Sequence, residues 1–122
     1  MGNKPLEGIK VVELSTFVAA PGCARILADL GADVIKVEGL TGDPWRERGR
    51  NIIGRGDGEN PIYDVYNTGK RSIRVNIKDP KGFECLVKLI EEADVFIPTQ
   101  EQSRSKSLGL TQKLCMRDFQ GL

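Results

Sequence analysis

The sequence predicts an α/β fold built on a mainly parallel sheet. Short β-branched runs alternate with stretches of helical apolar spacing. The first such alternation, strand then helix then strand, is complete by residue 38, which makes a βαβ unit with a right-handed crossover. The whole chain has 122 residues, the size of one domain.

Each element has its own local reason. Residues 9–14, IKVVEL, follow Gly8 and read as a strand. Residues 15–20, STFVAA, are a turn of small residues, and Pro21 suits the first turn of a helix, where its missing N–H costs nothing. A helix over 21–30 would put Ala20, Cys23, Ala24, Leu27 and Leu30 on one apolar stripe, with Arg25 and Asp29 opposite and Gly31 as its stop. Residues 33–38, DVIKVE, are the second strand.

Residues 39–60 read as a long loop with one helical turn around Asp43-Pro44-Trp45. Residues 72–77, SIRVNI, alternate as a strand with one buried face would. Asp79-Pro80 is an N-cap followed by a first-turn proline, opening a helix over 80–92 whose stripe is Phe83, Leu86, Val87 and Ile90. Residues 94–97, DVFI, are the last strand, and beyond Pro98 no periodicity is left. The resulting sheet is Rossmann-like.

Composition narrows the chemistry. Hydrophobic residues at 39% and charged residues at 29% are globular proportions. Eighteen Lys+Arg against seventeen Asp+Glu give no bulk-charge reason to bind nucleic acid or a membrane surface. With no histidine, the chain holds no Ser-His-Asp or Cys-His machinery and no His-ligated metal. Cys23, Cys85 and Cys115 form no C-x-x-C pair, so a reducing cytoplasm is the expected compartment and no metal site is expected. Cys23 reads as core. No apolar run is long enough to span a bilayer.

Ligands of open α/β sheets bind beyond the carboxyl ends of the strands. The first such turn lacks G-x-G-x-x-G and offers Ala19, Ala20 and Gly22 before a helix N-terminus, which can face an anion or simply pack closely. Arg46, Arg48, Arg50 and Arg55, with Glu47 and Asp57 among them, read as a solvated loop more readily than as a phosphate site. Lys70-Arg71 either caps a phosphate or faces water. Glu13 and Asp33 read as structural, and no carboxylate pair forms a general acid/base couple.

Residues 5–46, PLEGIKVVELSTFVAAPGCARILADLGADVIKVEGLTGDPWR, resemble the N-terminus of the class III CoA-transferases, the formyl-CoA and carnitine CoA-transferase group. NTGKRSI, RVNIKDPKG and IEEADVFI continue the resemblance in order to residue 97. TFVAAP and ENPIYDVYN look most like the branch acting on 2-hydroxyacyl-CoA.

The resemblance implies an incomplete N-terminal part of that fold, with 1–97 a CoA-binding α/β segment and 98–122 a divergent tail, truncated or disordered. It implies CoA contacts at Phe17, Val18, Ala19, Gly39, Val75, Asn76, Ile77, Lys78, Thr99 and Gln100. Gly39 departs from relatives with arginine there. CoA and acyl-CoA are then substrates, with no tightly bound cofactor. The partners are acyl-CoA and a carboxylic acid, and the enzyme is an interlocked homodimer.

The reaction implied is ping-pong exchange through an aspartyl-CoA intermediate. That aspartate lies downstream of this sequence, so the chain carries no catalytic residue of its own and is expected to be inactive alone. It would be a truncated or frameshifted product, or a chain cut short. The alternative is a non-catalytic CoA- or nucleotide-binding partner subunit, or an inactive fragment.

Overall fold

The computed structural model describes residues 3–53 and 58–98. In chain order they form β1 (Lys10–Leu14), α1 (Ala19–Asp29), β2 (Asp33–Glu38), α2 (Trp45–Ile53), α3 (Pro61–Asn67), β3 (Arg71–Arg74), α4 (Pro80–Glu91) and β4 (Val95–Pro98). The four strands make one sheet in the order β3-β2-β1-β4, parallel at every pairing. This is the strand order of the first four strands of a dinucleotide-binding fold. The expected α/β class and parallel sheet are therefore observed.

Side-chain alternation sends the strands' residues to two faces. On one, Val11 and Val34 pack with Ala24, Ala28 and Ala32 of the α1 region, backed by Leu6, Leu27, Val95 and Ile97. On the other, Val12 and Val37 pack with Leu86 and Ile90 of α4, backed by Ile35, Ile73, Phe83, Leu89 and Phe96. Leu86 is wholly buried, which contributes about 1.5–3 kcal/mol. The Asp79 carboxylate caps α4, accepting from the N–H of Lys81 at 2.9 Å and of Gly82 at 3.4 Å, and Pro80 follows it as expected.

Several sequence expectations are corrected. α1 begins two residues early, and its buried positions are Pro21, Ala24 and Ala28, while Cys23 is exposed and Leu30 is 41% exposed. The stripe is rotated from the expected one, and Cys23 is not core. Residues 39–60 are not a loop with one turn, because α2 occupies nine of them. Asp43 starts it, its carboxylate accepting from the Trp45 N–H at 2.9 Å.

The further helix α3 is capped by Asn60, which accepts from the Tyr63 N–H at 3.1 Å. The two helices dock through the same side chain, since the Asn60 amide also donates to the carbonyls of Trp45 and Arg46 at 2.8 and 2.9 Å. Gly49 makes room for it: a Cβ there would stand 2.1 Å from Asn60 Oδ1. The third strand is Arg71–Arg74 and not 72–77. Val75 N–H still donates to Glu38 O at 2.9 Å, but β2 ends there, and Ile77 N–H turns back to Val75 O.

Candidate functional site

In the order β3-β2-β1-β4, the chain moves outward from β1 to β3 and then returns to the other side of β1. The connections leaving β1 and β4 therefore diverge and open a crevice at the carboxyl edge. Phe17, Val18 and Ala19 form the turn at that point, all exposed to solvent. Gly39 directly follows β2 with open space around it, and a Cβ there would meet nothing within 4 Å. Val75, Asn76, Ile77 and Lys78 follow β3 on the same edge. Thr99 and Gln100 follow β4 and lie outside the described residues, as does the rest of the tail.

The eight described positions are not equivalent. Val75 and Ile77 turn their side chains into the core beneath α4, leaving only their backbone to the edge. Asn76 and Lys78 are exposed, with the Lys78 N–H donating to Asn76 Oδ1 at 3.2 Å. The first turn of α4 seats directly under this segment. A Cβ on Gly82 would stand 2.1 Å from the Asn76 carbonyl oxygen, so only glycine allows that approach.

Phe17 has φ 68°, and among the described residues no other non-glycine has a positive φ. Such strain persists only where neighbours hold it. Its ring meets Trp45 edge-on, 6.0 Å between centroids, with the Arg48 guanidinium 5.8 Å from the ring centre. Val18 caps α1 without a side-chain hydrogen bond, and no acidic residue occupies the first turn. The helix end is thus unneutralised by its own sequence.

Beneath this turn lies a buried ionic cluster. Glu13, Lys36 and Glu38 point to the α1 face from the carboxyl halves of β1 and β2, where Glu13 and Lys36 are register partners. Lys36 Nζ lies 2.9 Å from Glu13 Oε1 and 3.0 Å from Asp43 Oδ2, with all three side chains buried. It also donates to the Ser15 carbonyl at 3.1 Å. Lys70 Nζ donates to Glu13 Oε2 at 2.7 Å, the Pro21 carbonyl at 2.8 Å and Asn67 Oδ1 at 3.1 Å.

Glu38 accepts from Arg46 at 2.7 Å through both oxygens, and from the Asp43 N–H, Tyr63 and Ser72. Burial would raise the Glu38 carboxyl, but these donors outweigh it and bring it from 4.5 to about 2. Burial, then the bond to Glu38, pushes the Tyr63 hydroxyl up. Burial pulls the Lys70 ammonium down against the opposing pull of Glu13. Three carboxylates face three cations, so the cluster is neutral without a ligand.

A parallel sheet with an open carboxyl edge and no dinucleotide fingerprint narrows the fold without choosing among its families. Sequence likeness decides. The model of CoA-transferase family III matches residues 6–121. The chain belongs to that family. It is 40% identical over 118 residues to (R)-2-hydroxy-4-methylpentanoate CoA-transferase of Clostridioides difficile, covering 96% of this chain and 30% of that protein. It is 42% identical over 94 residues to cinnamoyl-CoA:phenyllactate CoA-transferase of Clostridium sporogenes, covering 74% and 22%. The crystal structure of a CAIB/BAIF family protein from Brucella suis superposes with TM-score 0.82 at 38% identity, over 95% of this chain and 31% of that one. The chain thus spans less than a third of the relatives it matches.

The four arginines of residues 46–55 have divided fates. Arg46 is committed to Glu38 and stacks over Tyr63, 4.1 Å from the ring centre. Arg48 sits by Phe17, Arg50 is exposed, and Arg55 lies outside the described residues. Lys70 neither caps a phosphate nor faces water, since Glu13 holds it. Arg71 pairs with Asp33 at the surface. The reading of Glu13 as structural fits its burial. Sequence reasoning missed Lys36 and Glu38, although charges inside a strand run that is buried on both faces were a usable signal.

Proposed function

We propose that this chain is the CoA-binding part of a family III enzyme that moves CoA between an acyl-CoA and a carboxylic acid. The placement of Phe17, Val18, Ala19, Gly39 and 75–78 on one carboxyl edge, with the strained 17–19 turn at the switch point, carries the reading. Thr99 and Gln100 would complete the site. CoA enters as substrate and is not retained as a cofactor. The unneutralised α1 terminus and exposed Lys78 supply positive potential for its phosphates.

The likeness to the 2-hydroxy-4-methylpentanoate and phenyllactate enzymes supports a 2-hydroxy acid as acceptor. Catalysis through an aspartyl-CoA intermediate would draw its nucleophile from sequence beyond residues 1–122, in a cytoplasmic homodimer. A single polypeptide segment that binds CoA without turning it over is the expected behaviour. Calorimetric titration of the 122-residue chain with CoA should give one-site heats, while acyl exchange between an acyl-CoA and a free 2-hydroxy acid stays at background. Absence of binding heat, or turnover by this chain alone, contradicts the reading.

A further inference from the structure

We propose that Lys36 and Lys70 are positioning residues that clamp the two ends of the 15–21 turn and thereby set its affinity for CoA. The inference rests on the reading of that turn as part of the CoA site. Lys36 donates to the carbonyl of Ser15, at the turn's entry, and Lys70 to the carbonyl of Pro21, at its exit. Both ammonium groups are anchored on one carboxylate, the two oxygens of Glu13 taking one lysine each. The side chains are all but fully buried, so water does not compete for these bonds.

Neutralising Glu13 would need neither carbonyl. The turn's own Ser15 hydroxyl also donates to Glu13, at 2.7 Å, but neither that bond nor the ion pairs hold the Ser15 and Pro21 carbonyls. Phe17 sits at positive φ, α1 has no side-chain cap, and Pro21 contributes no N–H. The lysines hold those two carbonyls from below. They also reach elsewhere, Lys36 to Asp43 ahead of α2 and Lys70 to Asn67 at the end of α3. The turn's position is therefore tied to the segment that follows Gly39.

The test uses hydrogen exchange together with CoA titration of the whole chain. In Lys70→Met, the Gly22 amide, which donates to the Val18 carbonyl at 2.7 Å, should exchange roughly tenfold faster or more, with those of Val12, Val37 and Leu86 much less affected, and CoA should bind roughly tenfold more weakly. The double variant Glu13→Gln/Lys70→Met keeps the cluster's charge balanced and so guards against a variant that fails to fold. The clamp predicts that it too has a loosened turn and weakened CoA binding. If the double variant restores both, Lys70 only neutralises Glu13 and the proposal is overturned. Uniform acceleration at every amide, or none, overturns it as well. If the unaltered chain gives no CoA heat, the reading of the site fails, while the exchange at Gly22 still decides the clamp.

Discussion

On the α4 face, Val12 and Val37 meet Leu86 and Ile90, and the strand positions beyond the first residue of β1, β2 and β3 are apolar. On the opposite face the same strands carry Val11 and Val34 in their amino halves, but Glu13, Lys36 and Glu38 in their carboxyl halves. The apolar face gains stability from burial and tolerates many similar side chains. The ionic half gains little net stability, because desolvation offsets the Coulomb attraction. What it adds is direction: Glu13 anchors the two lysines, and Lys36, Lys70, Glu38 and Asp43 each reach a particular backbone group of the 15–21 turn or the 39–46 segment. The physics that builds a core occupies one face, and the physics that fixes a site occupies the edge of the other.

Substitutions separate the two regions. Lys36→Met strands the Asp43 carboxylate and half of Glu13 in a buried setting, and should cost about 3–5 kcal/mol by chemical denaturation. Leu86→Ala on the apolar face should cost about 2–5 kcal/mol from lost burial and the cavity left behind. The separating readout is local. Lys36→Met should loosen the turn at 17–19 beyond its global effect, whereas Leu86→Ala should leave the turn's exchange relative to the rest unchanged. Equal local loosening in both variants would erase the distinction between the faces.

A smaller effect comes from acid. Glu38 titrates near 2 in the folded protein against 4.5 as its ordinary value. A depressed carboxyl adds stability that is complete above about pH 4.5 and is lost as pH falls towards 2. Arg46 is 31% exposed, so solvent screens part of the pair. The loss across that window should then be about 2 kcal/mol. Glu38→Gln should be less stable at neutral pH and should flatten the decline. An unchanged slope in Glu38→Gln places the acid sensitivity elsewhere.

The same contrast explains what could be read in the sequence. The α4 face was legible because period-3.6 and period-2 patterns and the Asp79-Pro80 cap are local signals. α2 was hidden, because Gly49 sits at its centre and its apolar residues are confined to the two ends, and its support comes from Asn60 across a sequence gap. α3 offered a readable signal, Asn60-Pro61 as cap and first turn, that went unused. The strand boundary at Arg74 depended on where β2 ends. The candidate site was placed by resemblance, whereas its underpinning was not: that Glu13 and Lys36 are neighbours follows from a register no local pattern fixes. Cys23 was misplaced because the stripe that meets the sheet runs through Pro21, Ala24 and Ala28, which leaves it on the exposed side of α1.

The central claim is that the carboxyl edge is the CoA site and the ionic cluster lies beneath it. Amide NMR of the isotopically labelled chain titrated with CoA tests it most directly. The account predicts saturable shifts at Phe17, Val18, Ala19, Gly39 and 75–78, smaller ones at Ser15 and Gly22, and none along the outer side of α4 at Glu84, Lys88 and Glu91. Shifts centred on α4, or spread evenly over the exposed lysines without saturation, would contradict it.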